Sequence, residues 1–405
     1  MLRPNQPDRL AVPVWYVTRT PARLVFATLT VAMFAVALLA VATPASAGVT
    51  NPKISILGQP SIVWTDDAEN PDRKRPVLDI GETEIIYDDY LNPYASGYFT
   101  LAIAEEGLEL EEGYFTLFRG LPGELALKGG QYRVPFGRIN PTHPHALPFA
   151  EPFEVVSSYL PGEEALIEPG VELSRRIPIV GDVSVEVQAD WLQGNSFRVE
   201  READETDSTD PLNSGGDDGA ELTRPAFFGR LSGFGMLGER SALEVGLSAV
   251  GGTNNVDAGT RTYVYGADAK AKLWTSPQSY LVLQGELLSR SLEEAAWEDG
   301  GYVSNDLDSV GGYLFADFNW ASRYNVGASF EVFEEPVARG GEGDATRDGN
   351  PTMRGLGLFG GIALMEETTA IRLDWKRLDP DEGDGSNTLT LRVIYSMGPH
   401  KAHQF

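Results

Sequence analysis

From about residue 53 onward the chain repeats one pattern: apolar and polar positions alternate over short stretches, and turn-forming residues separate the stretches. A period of two puts alternate side chains on opposite faces of a strand. In the final stretch Leu389, Leu391, Val393 and Tyr395 share one face, and Thr388, Thr390, Arg392 and Ser396 share the other. Just before it, Ile371, Leu373 and Trp375 oppose Arg372, Asp374 and Lys376. Charges at that density do not line a dry core unpaired, so they require a wet interior. The same alternation around 183–188, 243–248, 263–273 and 325–332 predicts an all-β fold, a transmembrane antiparallel β-barrel of about sixteen strands. Glycine and mixed polarity blur it at 108–118 and 353–365.

The connections sharpen this picture. Tight ones, such as Asn92-Pro93-Tyr94, Leu121-Pro122-Gly123, 178–182, Gly238-Glu239-Arg240, Ser276-Pro277, Ser322-Arg323 and Glu366-Glu367, have turn compositions. They alternate with longer ones at 66–76, 135–169, 195–223, 251–260, 292–308, 335–351 and 378–386, although the one near Glu105-Glu106-Gly107 is short. Bacterial barrels place short turns in the periplasm and long loops outside, so the spacing orients the barrel.

The N-terminus is a different kind of segment. Arg3, Arg9, Arg19 and Arg23 precede an apolar stretch from Leu24 to Ala42, and Thr43 to Ala47 supplies small residues for cleavage. We read residues 1–47 as a cleaved signal peptide and 48–405 as the barrel. No second apolar run long enough for a helical span follows it, and a mean hydropathy of −0.19 is compatible with strands that show lipid only one face.

Composition then removes several classes of function. With no cysteine there is no disulfide framework and no thiolate metal site. A net charge of −27 argues against nucleic acid as a partner. No Gly-x-Ser-x-Gly elbow, phosphate loop or His-Glu-x-x-His is present, so neither an enzyme nor a cofactor is expected.

One connection carries the candidate chemistry. Residues 135–169 hold Pro135, Pro141, Pro144, Pro148, Pro152, Pro161 and Pro169, too many prolines for a sheet. A loop this long in a compact fold is usually functional, and a barrel of this size encloses water that an infolded loop would narrow. Arg133 precedes it and Arg138 lies near its start, at the proposed constriction, and Arg175, Arg372 and Arg392 lie in strands as further lumenal candidates. His143 and His145 within it, and His400 and His403 near the end of the chain, account for all four histidines. Paired imidazoles suit Zn²⁺, but two ligands do not make a site. The acidic stretches, such as 200–210 and 379–384, read as a solvated outer surface.

The run Gly130-Gln131-Tyr132-Arg133-Val134-Pro135-Phe136-Gly137-Arg138 resembles the strand and turn GQ(F/Y)(K/R)xPFG of the phosphate-selective porin-like outer-membrane proteins. The chain end at Phe405 is similar to the signal read by the barrel-assembly machinery. The resemblance covers about a tenth of the chain and implies a homotrimeric, sixteen-stranded pore for small anionic solutes. The acidic loops depart from it, since recruiting phosphate favours basic residues at the mouth.

These observations lead to an outer-membrane porin that passes small hydrophilic solutes or ions and lies among lipid and lipopolysaccharide. The alternative is an outer-membrane receptor or zinc-uptake component without a plug domain, because strand-like sequence begins by Lys53.

Overall fold

The computed structural model describes residues 53–104, 107–150, 152–162, 165–205, 207–335, 350–364, 369–381 and 383–398. The signal segment, Glu366-Glu367, His400, His403 and Phe405 lie outside them.

Eighteen β segments build sixteen strands, because the first two strands are each interrupted once. Strand β1 comprises Lys53–Gly58 and Ser61–Thr65, and β2 comprises Val77–Asp79 and Thr83–Asn92. The rest are β3 (Ala95–Ala104), β4 (Gly107–Leu117), β5 (Ala126–Arg133), β6 (Ile167–Val180), β7 (Val183–Leu192) and β8 (Ala226–Leu237). The circuit continues through β9 (Ser241–Asn255), β10 (Thr260–Ser276), β11 (Ser279–Glu298) and β12 (Gly301–Trp320). It ends with β13 (Tyr324–Glu334), β14 (Thr352–Ala363), β15 (Thr369–Pro380) and β16 (Ser386–Met397).

Each strand pairs antiparallel with its neighbours in sequence, and β16 closes on β1 through Ile56↔Met397 and Arg392↔Ser61. Closure leaves no edge strand, which is what a sheet in lipid requires.

The alternation read from sequence is the inside and outside of this barrel. On β9 the outward Leu243, Val245 and Leu247 are exposed, while Glu244 and Ser248 point in. On β11 and β12 the outward Leu287 and Leu314 are exposed and the inward Glu286 and Asp317 are buried. Aromatic pairs gather at the tight-turn end, with Trp274 on Tyr280 and Trp320 stacked on Tyr324, as interfacial girdles do.

The expected loops at 251–260 and 292–308 are shorter than predicted. Strands β9 to β12 run 15, 17, 20 and 20 residues, against the roughly 9–11 that cross a bilayer. Residues 292–308 therefore continue a hairpin, Leu292↔Leu307 to Glu298↔Gly301. The irregularity at 108–118 also has a physical cause. Thr100 pairs with Glu112 and Leu101 with Leu110, so Glu111 is the extra residue of a β-bulge, and Glu111 and Glu112 are both buried.

Candidate functional site

The 134–166 loop leaves β5 and lodges against inward-facing side chains around the barrel. Its base is closed by backbone, Val134 N donating to Leu166 O at 2.9 Å. Asn140 ties the two ends together: its Nδ2 donates to Val134 O at 2.7 Å, and its Oδ1 accepts from Leu166 N at 2.7 Å.

Aromatic residues hold the next stretch. Phe149 meets Phe315 and Phe359 edge to face at 5.3 and 5.5 Å, and Phe153 stacks on Tyr313 at 4.0 Å. A short helix, α1 (Glu154–Tyr159), follows, and Tyr159 Oη donates to Glu334 O at 2.8 Å. This is a dry seam inside a polar lumen, worth several aromatic burials.

Charge pins the remainder at three places. At the first, Arg138 sits among carboxylates: Nε is 2.7 Å from Asp268, Nη2 is 2.7 Å from Glu244, and its backbone N–H donates to Glu286 at 2.5 Å. Asp268 also pairs with Arg230 at 2.6 Å. Burial works against the Arg138 charge, but Glu244 and Asp268 outweigh it and raise its pKa.

At the second place, Arg133 closes β5, its guanidinium on Glu111 and its N–H donating to Glu112 at 2.9 Å. Beside it, His143 Nε2 meets Glu112 at 2.9 Å, and His145 Nδ1 meets Glu84 at 2.9 Å. Burial opposes the charged imidazole of His143, yet the hydrogen bond to Glu112 and the nearby carboxylates raise its pKa overall.

At the third, Lys376 bridges Glu154 of α1 and Glu331 of β13 at 3.2 and 3.1 Å. Arg372 donates to the carbonyl oxygens of His145 and Leu147.

The loop lines two chambers. One of about 1620 Å³ lies toward the long-loop end, lined by Glu111, Arg133, Tyr159, Arg198, Glu200 and Arg290. One of about 510 Å³ lies toward the tight-turn end, lined by His145, Lys270, Asp317, Asn325 and Arg372.

Of the residues singled out from sequence, Arg133, Arg138, His143, His145 and Arg372 come together at this loop. Arg392 is buried and pairs in register with Arg372. Arg175 does not belong with them: it shares the face of the exposed Val171 and Leu173, so it stands on the outer wall near the tight turn after β6. Its neighbour Arg176 points inward and pairs with Glu186 at 2.6 Å.

Of the partners, Glu244 and Asp268 fall on the polar faces read from sequence, whereas Glu84, Glu111, Glu112 and Glu286 are not singled out there. Their signal was parity, since most are acidic residues on the inward positions of otherwise apolar strands.

No family model matches the chain. An uncharacterized protein of Aquifex aeolicus (strain VF5) is 28% identical over 267 residues, 60% of this chain, and the chain spans about half (52%) of that relative's length.

Solved structures align over most of the chain at low identity. The anion-selective porin from Comamonas acidovorans has a TM-score of 0.55 at 11% identity, covering 86% of this chain and 100% of that one. The outer-membrane channel DcaP of Acinetobacter baumannii has a TM-score of 0.54 at 9% identity, covering 85% and 97%. OprB of Pseudomonas putida gives 0.50 at 9%, covering 86% and 94%. In fold, then, the chain is a porin-like, closed β-barrel of sixteen antiparallel strands.

Proposed function

We propose that this protein is an outer-membrane porin through which small hydrophilic solutes or ions diffuse passively, with the 134–166 loop setting the width of the path. The observation that carries this reading is a loop that lines two chambers set with charged side chains, in a barrel whose outer wall is apolar. A path lined by fixed charges sorts solutes by size and by local field.

The field is the second part of the proposal. Arg133 is outnumbered by Glu84, Glu111 and Glu112, whereas Arg138, Arg230 and Lys270 balance Glu244, Asp268 and Glu286. Paired arginines among surplus carboxylates present a negative field, so the channel favours cations over the anions that the sequence resemblance implies. Assembly as a homotrimer is part of the same proposal, supported by that resemblance and by a likeness to the trimer form of Vibrio cholerae OmpT at a TM-score of 0.52.

Planar-bilayer recording of the refolded protein tests the reading. Discrete ohmic steps are expected, with a reversal potential of cation-selective sign in a KCl gradient. Folded protein that inserts and passes no current would overturn the channel, and a reversal potential of the opposite sign would overturn the selectivity.

A further inference from the structure

The second anchoring place of the loop holds more ligand chemistry than anchoring requires. Glu84 is fully buried on β2, with Oε1 on His145 Nδ1 and Oε2 making no hydrogen bond among the described residues. That Oε2 stands 3.6 Å from His143 Nδ1. Glu111 Oε2, without a hydrogen bond among the described residues, stands 3.6 Å from the same nitrogen, and Nδ1 itself makes none with them. Leaving such buried groups unsatisfied is costly, the more so when they are charged.

The spacing has a second meaning. Donor atoms bound tetrahedrally at ~2.0–2.2 Å from one ion lie about 3.3–3.6 Å apart, the separation that Glu84 Oε2 and Glu111 Oε2 each already have from His143 Nδ1. One donor atom each from Glu84, His143 and His145 fall within 4.8 Å of one another, and the two imidazoles stack at 5.4 Å.

A supporting shell is also present. Glu112 Oε2 meets His143 Nε2 at 2.9 Å, which in the neutral imidazole puts the proton on Nε2 and leaves the Nδ1 lone pair facing Glu84 and Glu111. Glu112 accepts from Arg133 N–H, and the Arg133 guanidinium holds the other oxygen of Glu111. The bulge in β4 is what turns both carboxylates toward the loop.

We infer that Glu84, Glu111, His143 and His145 form a site for a divalent transition-metal ion of Zn²⁺ type, fastening the loop to the wall of β2 and β4. Two imidazoles with two carboxylates suit Zn²⁺, Co²⁺ or Ni²⁺ and do not suit Ca²⁺ or Mg²⁺, which take oxygen ligands alone. Binding does not depend on conduction, so its test and that of the channel fail separately.

The test uses the whole folded protein in detergent, free of any affinity tag, stripped with chelator and titrated with Co²⁺ and then Zn²⁺. Expected are one ion per chain, tetrahedral Co²⁺ absorption bands and their displacement by Zn²⁺. Glu84→Gln and His143→Ala abolish the bands. Glu112→Gln, which loosens orientation, weakens affinity about 10–100-fold. Replacing His400 and His403 by Ala changes nothing.

Wild-type barrel that stays folded and takes up no Co²⁺ or Zn²⁺ in excess overturns the site and leaves a proton on His143 to join these carboxylates. So does undiminished binding in the folded Glu84→Gln, His143→Ala double variant. If the variants do not fold, the wild-type titration decides the question.

Discussion

Arg372, on the inward face of β15, donates from Nη1 to the carbonyl oxygen of His145 at 3.0 Å and also reaches that of Leu147. The wall thus grips the loop by its backbone, at residues 225 to 227 positions away in sequence. Hydrogen bonds from a charged donor contribute roughly 1.5–3 kcal/mol each. Arg372→Ala is therefore expected to release the loop locally, without unfolding a barrel held by its ladders. Single-channel recording should show larger and noisier openings, and unchanged conductance and noise would mean the loop is held elsewhere.

Arg138→Ala separates charge from position. The backbone N–H groups of Arg138 and Ile139 still donate to Glu286, so the loop keeps its course. Asp268 keeps Arg230, while Glu244 loses Arg138 and keeps Lys270 opposite it on β10. One positive charge is gone from the path, and the reversal potential in a salt gradient should move toward greater cation preference. Arg133→Ala acts differently: it strands the buried Glu111, and removing one partner of a buried pair costs roughly 3–5 kcal/mol. Lower thermal stability of the folded barrel, read by heat-modifiable gel migration, is the expected result there.

How much of this was legible depended on where lipid imposes a rule. Strands β9, β15 and β16 were plain because every outward position crossing the bilayer must be apolar. Beyond the bilayer that rule lapses. On β12 the outward Val310 gives way to Asp308 and Asp306, so the far half of the β11–β12 hairpin looked like a loop. The bulge at Glu111 shifted parity within β4 and hid two carboxylates that a regular strand would have put on opposite faces. Arg175 went the other way: its charge suggested the lumen, but counting from Val171 and Leu173 puts it outside. Arg138 stood out by its place beside the proline-rich loop. Its partners, 106 to 148 residues away, are set by closure of the barrel, which no local pattern encodes.

Gly130 has a φ of +135°, and a Cβ there would lie 2.2 Å from Gly113 O and 2.7 Å from Tyr114 Cα across the β4–β5 ladder. It opens the Gly-Gln-Tyr-Arg run that ends at Arg133, so its backbone delivers the chain into the loop. Gly130→Ala combines a strained backbone, about 1–3 kcal/mol, with a clash against backbone atoms that cannot move alone. The expected outcome is a lower yield of folded barrel, scored by the fraction that migrates as the compact form on unheated gels. Gly181→Ala, at a turn where a Cβ meets nothing within 4 Å, has a positive φ of 57° as well and isolates the backbone contribution.

The loop between β7 and β8 supplies a prediction about pH. Arg201 grips Asp210 with two hydrogen bonds of 2.6 and 2.7 Å and lies over the rings of Trp297 and Tyr302, docking the loop on the β11–β12 hairpin. Asp210 also accepts from the backbone N–H groups of Asp204 and Leu212. Arg201 holds the Asp210 carboxyl well below the usual carboxylate range. A pKa lowered by folding means the unfolded loop binds a proton first, so the stabilisation is complete above the ordinary value of about 3.9 and fades as pH falls below it. Limited proteolysis of the folded barrel between residues 198 and 224 should therefore be slow and constant from pH 8 down to about 5, then accelerate below about pH 4. Asp210→Asn removes the charge at every pH and should make the loop readily cleaved even at pH 7. Protection of that variant equal to wild type would place the loop's stability in its contacts with the hairpin rather than in this ion pair.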